Sequence, residues 1–256
     1  MKKIWLNLII FVAVLVVGAF FVFLYARSPK VIEEPIPSAQ VYSSPKPTPT
    51  PKVSPQKPEL ITDVGSIYSE INLAVPFTVQ APHANWEDPY AEFCEEASIL
   101  MAASYIKGWD IPNPDFADQK LLEIKAFEEK VFGYYKDTTA AETALVLKEF
   151  YGLEERVQLM ANPTEEDIKK ALAERRVVII PAAGRQLGNP YFQTPGPLYH
   201  MLVIKGYTKQ GNFITNDPGT KRGADFIYAP DVIMNAIHDW NGGDVENGIK
   251  VIIIVG

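Results

Sequence analysis

The sequence predicts an α+β fold, with helices packed on a mostly antiparallel sheet and one transmembrane helix in front of them. Three observations predict it. The first 26 residues contain a long charge-free run; residues 94–176 show helical spacing with helix-start signals; residues 177–255 turn to short β-rich runs divided by turns. Helices first and antiparallel strands afterwards is an α+β order, and no internal repeat interrupts it.

The charge-free run is Ile4 to Ala26, IWLNLIIFVAVLVVGAFFVFLYA. About 20 apolar residues in a helix span the hydrocarbon of a bilayer. A signal peptide has a shorter apolar region, about 7–15 residues, and a small-residue cleavage site. Here the run ends Phe23-Leu24-Tyr25-Ala26, so residues 1–27 are expected to be an uncleaved anchor. Lys2 and Lys3 precede it and Arg27 and Lys30 follow, a slight positive-inside bias, while Trp5 and Tyr25 suit the two interfaces.

Nine of the 21 prolines fall within residues 28–60. Such a segment favours extended polyproline II at about 3.1 Å per residue and a reach of roughly 100 Å. Residues 28–65 are therefore expected to be a disordered stalk. That stalk is the main reason to expect the domain outside the cytoplasm, on the cell membrane. The remainder, 66–256, is one domain in size.

Within it, Cys94 to Ile106 reads as a helix, with Ala97, Met101 and Tyr105 on one face. Further helices are expected at 115–131, 139–151 and 164–176. Thr139 with Glu142 has the spacing of a capping box, and Thr164 with Asp167 resembles one. Val177 to Pro181 and His200 to Tyr207 read as strands. Lys209 to Asn212 reads as a hairpin turn into Phe213–Asn216, and Asp217 to Thr220 as a turn. A strand at 224–228, a helix from Pro230 to about Trp240 and a strand at 250–255 complete the order.

A net charge of −7 and a pI near 5.1 exclude a nucleic-acid partner, since no basic face stands out. There is no phosphate-cradling glycine loop or dinucleotide fingerprint, and His83, His200, Cys94 and the acids lack metal-ligand spacing, so neither cofactor nor metal is expected.

Chemistry points to the single cysteine. Cys94 sits where a helix begins, and the positive end of a helix favours thiolate, although Glu95 and Glu96 oppose it. His200 opens an apolar strand, and Asp217 ends the strand after the hairpin. A tight hairpin brings them to the same end of the sheet, where a carboxylate can orient the imidazole. Cys, His and Asp are the nucleophile, base and orienter of acyl transfer. Each also has a plain structural reading: a core cysteine, a satisfied strand histidine and an Asp-Pro turn.

The stretches Val75-Pro76-Phe77-Thr78-Val79-Gln80, Asn85-Trp86, Cys94-Glu95-Glu96-Ala97-Ser98, His200 to Tyr207 and Asn216-Asp217-Pro218 together resemble the papain-fold cysteine peptidases of the bacteriocin-processing, double-glycine-leader kind, in their stand-alone bacterial branch. The resemblance covers roughly residues 73–255. It implies a papain-like fold, a nucleophile at Cys94, a general base at His200, an orienter at Asp217 and an oxyanion-hole glutamine at Gln80. The 14 residues from Gln80 to Cys94 exceed the short gap of papain-like enzymes, and Cys-Glu-Glu replaces the Cys-Gly-Pro common in relatives.

The expectation is a membrane-anchored, monomeric thiol hydrolase, a cysteine peptidase acting on peptide or protein through an acyl-enzyme on Cys94. The alternatives are transglutaminase-like amide transfer with the same triad, a catalytically silent peptide-binding module on the same fold, and a surface scaffold bridged through its thiol. The stretch GRQLGNPYFQTPGP (184–197) either lines the substrate cleft or is a surface loop.

Overall fold

The computed structural model describes residues 31–42 and 69–256. The expected anchor at 1–27 lies outside the described residues, as does most of the expected stalk. Among the described residues no helix is long and apolar enough to cross a membrane.

Strand β1 (Ile71–Asn72) comes first, and a 3-10 turn (Tyr90–Glu92) leads into helix α1 (Cys94–Lys107). Every residue of α1 from Cys94 to Ile106 is buried. The expected single face is thus replaced by burial all round, because α1 is enclosed by strand β4 (Tyr199–Tyr207) on one side and helices α2 (Pro114–Val131) and α3 (Ala140–Glu149) on the other. That position carries Glu95, Glu96, Ser98 and Ser104 into the interior with the apolar residues.

Asn113 caps α2 by accepting the Phe116 N–H, with proline at the first helical position. Both expected capping boxes form: Thr139 with Glu142 opens α3, and Thr164 with Asp167 opens α4 (Glu165–Ala173). These two helices end two to three residues before the expected 151 and 176.

Strands β2 (Val157–Ala161), β3 (Val177–Ala183), β4, β5 (Phe213–Asn216), β6 (Phe226–Tyr228) and β7 (Val251–Val255) join β1 in one antiparallel sheet. The order is β2-β7-β3-β4-β5-β6, with β1 on β4. β3 and β4 are buried at every residue, which accounts for their unbroken apolar runs. β2 is an edge strand with only Val157 buried, so no alternation announced it. A short helix α5 (Gly184–Leu187) follows β3. Helix α6 (Pro230–Ala236) stops short of Trp240, because Ile237 bridges to Ala182 and the His238 N–H bonds the Pro181 carbonyl.

Residues 32–42, expected within a free stalk, run along the domain instead. The Gln40 N–H bonds Asn72 O at 2.7 Å, and the Ala74 N–H bonds Gln40 O at 2.8 Å, extending the pairing beside β1. Asn212 Nδ2 donates to Glu34 at 2.6 Å, and Tyr42 packs edge-on against Tyr105. The physical reason is that an extended backbone offers free N–H and C=O groups to an open sheet edge, and docking there satisfies both.

Candidate active site

The hairpin between β4 and β5 is closed by the Thr208 N–H on Asn212 O and the Gly211 N–H on Thr208 O, each 2.8 Å. It folds the end of β5 back beside β4. His200, at the start of β4, and Asp217, just past β5, meet there with Nε2 2.8 Å from Oδ1. His200 is 1% exposed and Asp217 is fully buried.

The Asp217 carboxylate is held on every side. Oδ1 also receives the Gly219 N–H at 3.0 Å, while Oδ2 receives Tyr228 OH at 2.6 Å and Asn189 Nδ2 at 3.0 Å. Burial alone would raise this carboxyl. The His200 charge and hydrogen bond, with the Tyr228 and Gly219 donors, outweigh burial and hold it below the usual range. A charged carboxylate only accepts, so Nε2 carries a hydrogen in either state of the ring, and in the neutral imidazole Nδ1 is left with a lone pair. Tyr228 and Asn189 were missed in the sequence; they reach Asp217 only through the sheet and the 188–198 loop, and nothing in their local pattern marks them.

Cys94 is the first residue of α1, a free thiol, 6% exposed. It lines a cleft of about 830 Å³ together with Gln80, Glu95, His200 and Gly219. The structure thus brings Cys94 and the His200–Asp217 pair to one cleft. The thiol donates to Glu95 Oε2 at 2.9 Å. Burial pushes the thiol up, the Glu95 charge and hydrogen bond and the Glu96 charge push the same way, and a Met201 backbone hydrogen bond opposes them. In the resting protein the helix end does not prevail over burial.

Gln80 reaches the same cleft, 5% exposed, with its N–H on Pro218 O at 3.0 Å. Its Nε2 donates to Tyr90 O at 3.0 Å and Ala91 O at 2.8 Å, the turn immediately before Cys94. Both amide hydrogens are therefore committed to the segment that carries the thiol. The other two histidines lie elsewhere: His83 pairs with the exposed Asp115, and His238 Nδ1 bonds Gly248 O. Residues 191–198, the second half of the 184–197 stretch and the residue after it, line the cleft, and Phe192 stands edge-on to His200 at 5.2 Å.

Gly219 keeps the imidazole in place by lacking a side chain. A Cβ there would lie 2.8 Å from Phe192 Cε1 and 2.9 Å from His200 Cε1.

Behind Cys94, Glu96 and Glu128 are buried together, with their carboxyl groups acting on one another. Burial pushes Glu128 up to about 8 and Glu96 well above its ordinary value. Among the described residues no group of acids, histidines and cysteine is arranged to hold a metal ion.

A family model described as the Peptidase_C39 like family matches residues 72–241. No curated protein matches the chain. Among solved structures, a Bacillus anthracis protein assigned as a C39-like peptidase is 16% identical; the match covers 73% of this chain and 98% of that one, with a TM-score of 0.47. A fragment of Prevotella intermedia prointerpain A is 14% identical over 55% of this chain and 41% of that one, with a TM-score of 0.36.

Proposed function

The chain belongs to the Peptidase_C39 like family, and from that membership and the cleft geometry we propose that it is a cysteine peptidase cleaving peptide bonds through an acyl-enzyme on Cys94. The observation that carries this reading is the buried His200–Asp217 pair, 2.8 Å apart, lining the same cleft as the only thiol. Asp217 fixes the tautomer that leaves His200 Nδ1 free to take the thiol proton. The Cys94 sulfur then attacks the substrate carbonyl. The developing oxyanion is met by the Cys94 N–H at the helix start, which has no intrahelical partner. His200 returns its proton to the leaving amine, and water releases the acyl group. Gln80 joins the oxyanion hole if it releases Tyr90 O or Ala91 O; as it stands it positions the turn ahead of Cys94.

The proposal extends to place: a monomer fixed to the cell membrane by residues 1–27, with its catalytic domain outside the cytoplasm. The charge-free run Ile4–Ala26 supports it.

A second reading is favoured by one observation. The thiol is buried and donates to Glu95, as a silent peptide-binding cleft would allow. Peptide hydrolysis by the purified full chain and by Cys94→Ala separates the two. Hydrolysis lost in the variant supports the peptidase; peptide binding with no hydrolysis in either protein supports the binding module.

A further inference from the structure

The charged residues of the cleft are segregated by the segment that supplies them. Glu92 and Glu95 flank Cys94, and Asp137 comes from the connection between α2 and α3; Lys221 and Arg222 come from the loop after Asp217. Arg222 is already stacked over Tyr191, 4.6 Å from the ring centre. The three acids share one neighbourhood. After burial, the Glu92 charge is the largest influence raising the Asp137 carboxyl, and Asp137 in turn acts on Glu95. Lys136, the cation that acts on Asp137, is engaged 2.6 Å from Asp88. Among the described residues no cation lies within 4 Å of any of the three.

A second observation points to a ligand. Glu95 is 1% exposed, lines the cleft, and leaves Oε1 without a hydrogen-bond partner. Glu96 and Glu128 also carry buried oxygens without partners, but of these three acids only Glu95 lines the cleft, where a partner can arrive from outside; burial holds its carboxyl well above the ordinary range, and an arriving cation offsets that. A metal ion does not fit, since the acids are not placed to hold one. A positively charged side chain does fit, because it brings several N–H donors on a long stem into a wall of acceptors.

We propose that the wall formed by Glu92, Glu95 and Asp137 is a specificity subsite for a lysine or arginine side chain of a peptide substrate. The assignment rests on the peptide-cleft reading of the site. The cation fills the place next to the nucleophile and compensates the carboxyl group that otherwise accepts from the Cys94 thiol. Recognition and release of the thiol are then coupled.

The test measures binding, so that it does not depend on hydrolysis. Full-chain Cys94→Ala is titrated with fluorescein-labelled hexapeptides that are identical except for one residue, which is Lys, Arg, Gln or Glu at each position in turn. The expected result is binding at least about tenfold tighter for Lys or Arg than for Gln at one position, weakest for Glu, and reduced by salt. In Cys94→Ala combined with Glu92→Gln and Asp137→Asn, that advantage shrinks to about threefold or less. Asparagine suits position 137, whose φ is +52°, so the variant keeps its backbone; an unchanged melting temperature confirms folding. Equal affinity for Lys and Gln peptides, a preference that survives the double charge removal, or no measurable binding of any peptide would overturn the assignment. Hydrolysis by the unmodified chain without basic preference would overturn it and leave the peptidase reading intact.

Discussion

His200 Nε2 and Asp217 Oδ1 lie 2.8 Å apart, both buried, at the wall of the cleft, 17 residues distant in sequence and brought together by one hairpin. Tyr228 completes that pair by donating to the other carboxylate oxygen at 2.6 Å. Tyr228→Phe removes one donor from a buried carboxylate, at a cost of about 1.5–3 kcal/mol in stability. The Asp217 carboxyl then rises toward its ordinary value, so the acid limb of the pH–rate profile moves to higher pH. Activity against pH for the two proteins checks the sign; an unchanged acid limb would count against the role given to Tyr228.

Gly219→Ala is expected to cost activity more than stability. Its new Cβ meets the His200 ring and Phe192 at under 3 Å, and a displaced base loses about tenfold or more in rate. Gly206→Ala behaves the opposite way. There the Cβ would fall 2.1 Å from the Ile71 carbonyl oxygen, remote from the cleft, which costs about 1–3 kcal/mol in stability. Melting temperatures and hydrolysis rates of both variants distinguish the two.

Stability should fall as pH rises from 4.5 to about 8. Glu128 keeps its proton to about 8 in the folded protein and loses it near 4.5 when unfolded. The folded state therefore binds more protons across that window, and the penalty grows to roughly 3 kcal/mol by pH 7. Glu128→Gln flattens the curve and raises the melting temperature at neutral pH. Calorimetry at several pH values in that window measures it, and an equal slope in the variant would remove Glu128 as the cause.

Glu95→Gln removes the carboxyl that accepts from the Cys94 thiol, whose burial and acidic neighbours hold it protonated; burial holds the Glu95 carboxyl well above its own ordinary range as well. The thiol becomes more acidic, and alkylation at pH 7 speeds up about tenfold for each unit of that fall. Iodoacetamide kinetics against pH give the midpoint; a midpoint unchanged or raised would show that Glu95 does not restrain the thiol.

Much of this site was legible because the signals are local. Thr139 and Thr164 announce helix starts by spacing alone, and both capping boxes form. The turn at 208–212 sets the register that joins His200 to Asp217. What escaped is set by packing at a distance. β2 carries one buried residue and so shows no alternation. Tyr228 reaches Asp217 across the sheet, and Asn189 reaches it from the loop before β4. The burial of Glu95 and Glu96 follows from the whole of α1 lying in the core, which two adjacent acids argue against in sequence. Residues 32–42 read as a free proline-rich segment because pairing of an extended chain with a sheet edge leaves no periodic trace.

The central claim is that Cys94 reacts through His200. The direct measurement is the rate of Cys94 modification by a peptide-based electrophile against pH, in the full chain and in His200→Ala, followed by mass spectrometry. The account predicts modification confined to Cys94 and slowed by roughly 10²–10⁴-fold when the base is removed. Equal rates and equal pH profiles in the two proteins would contradict it.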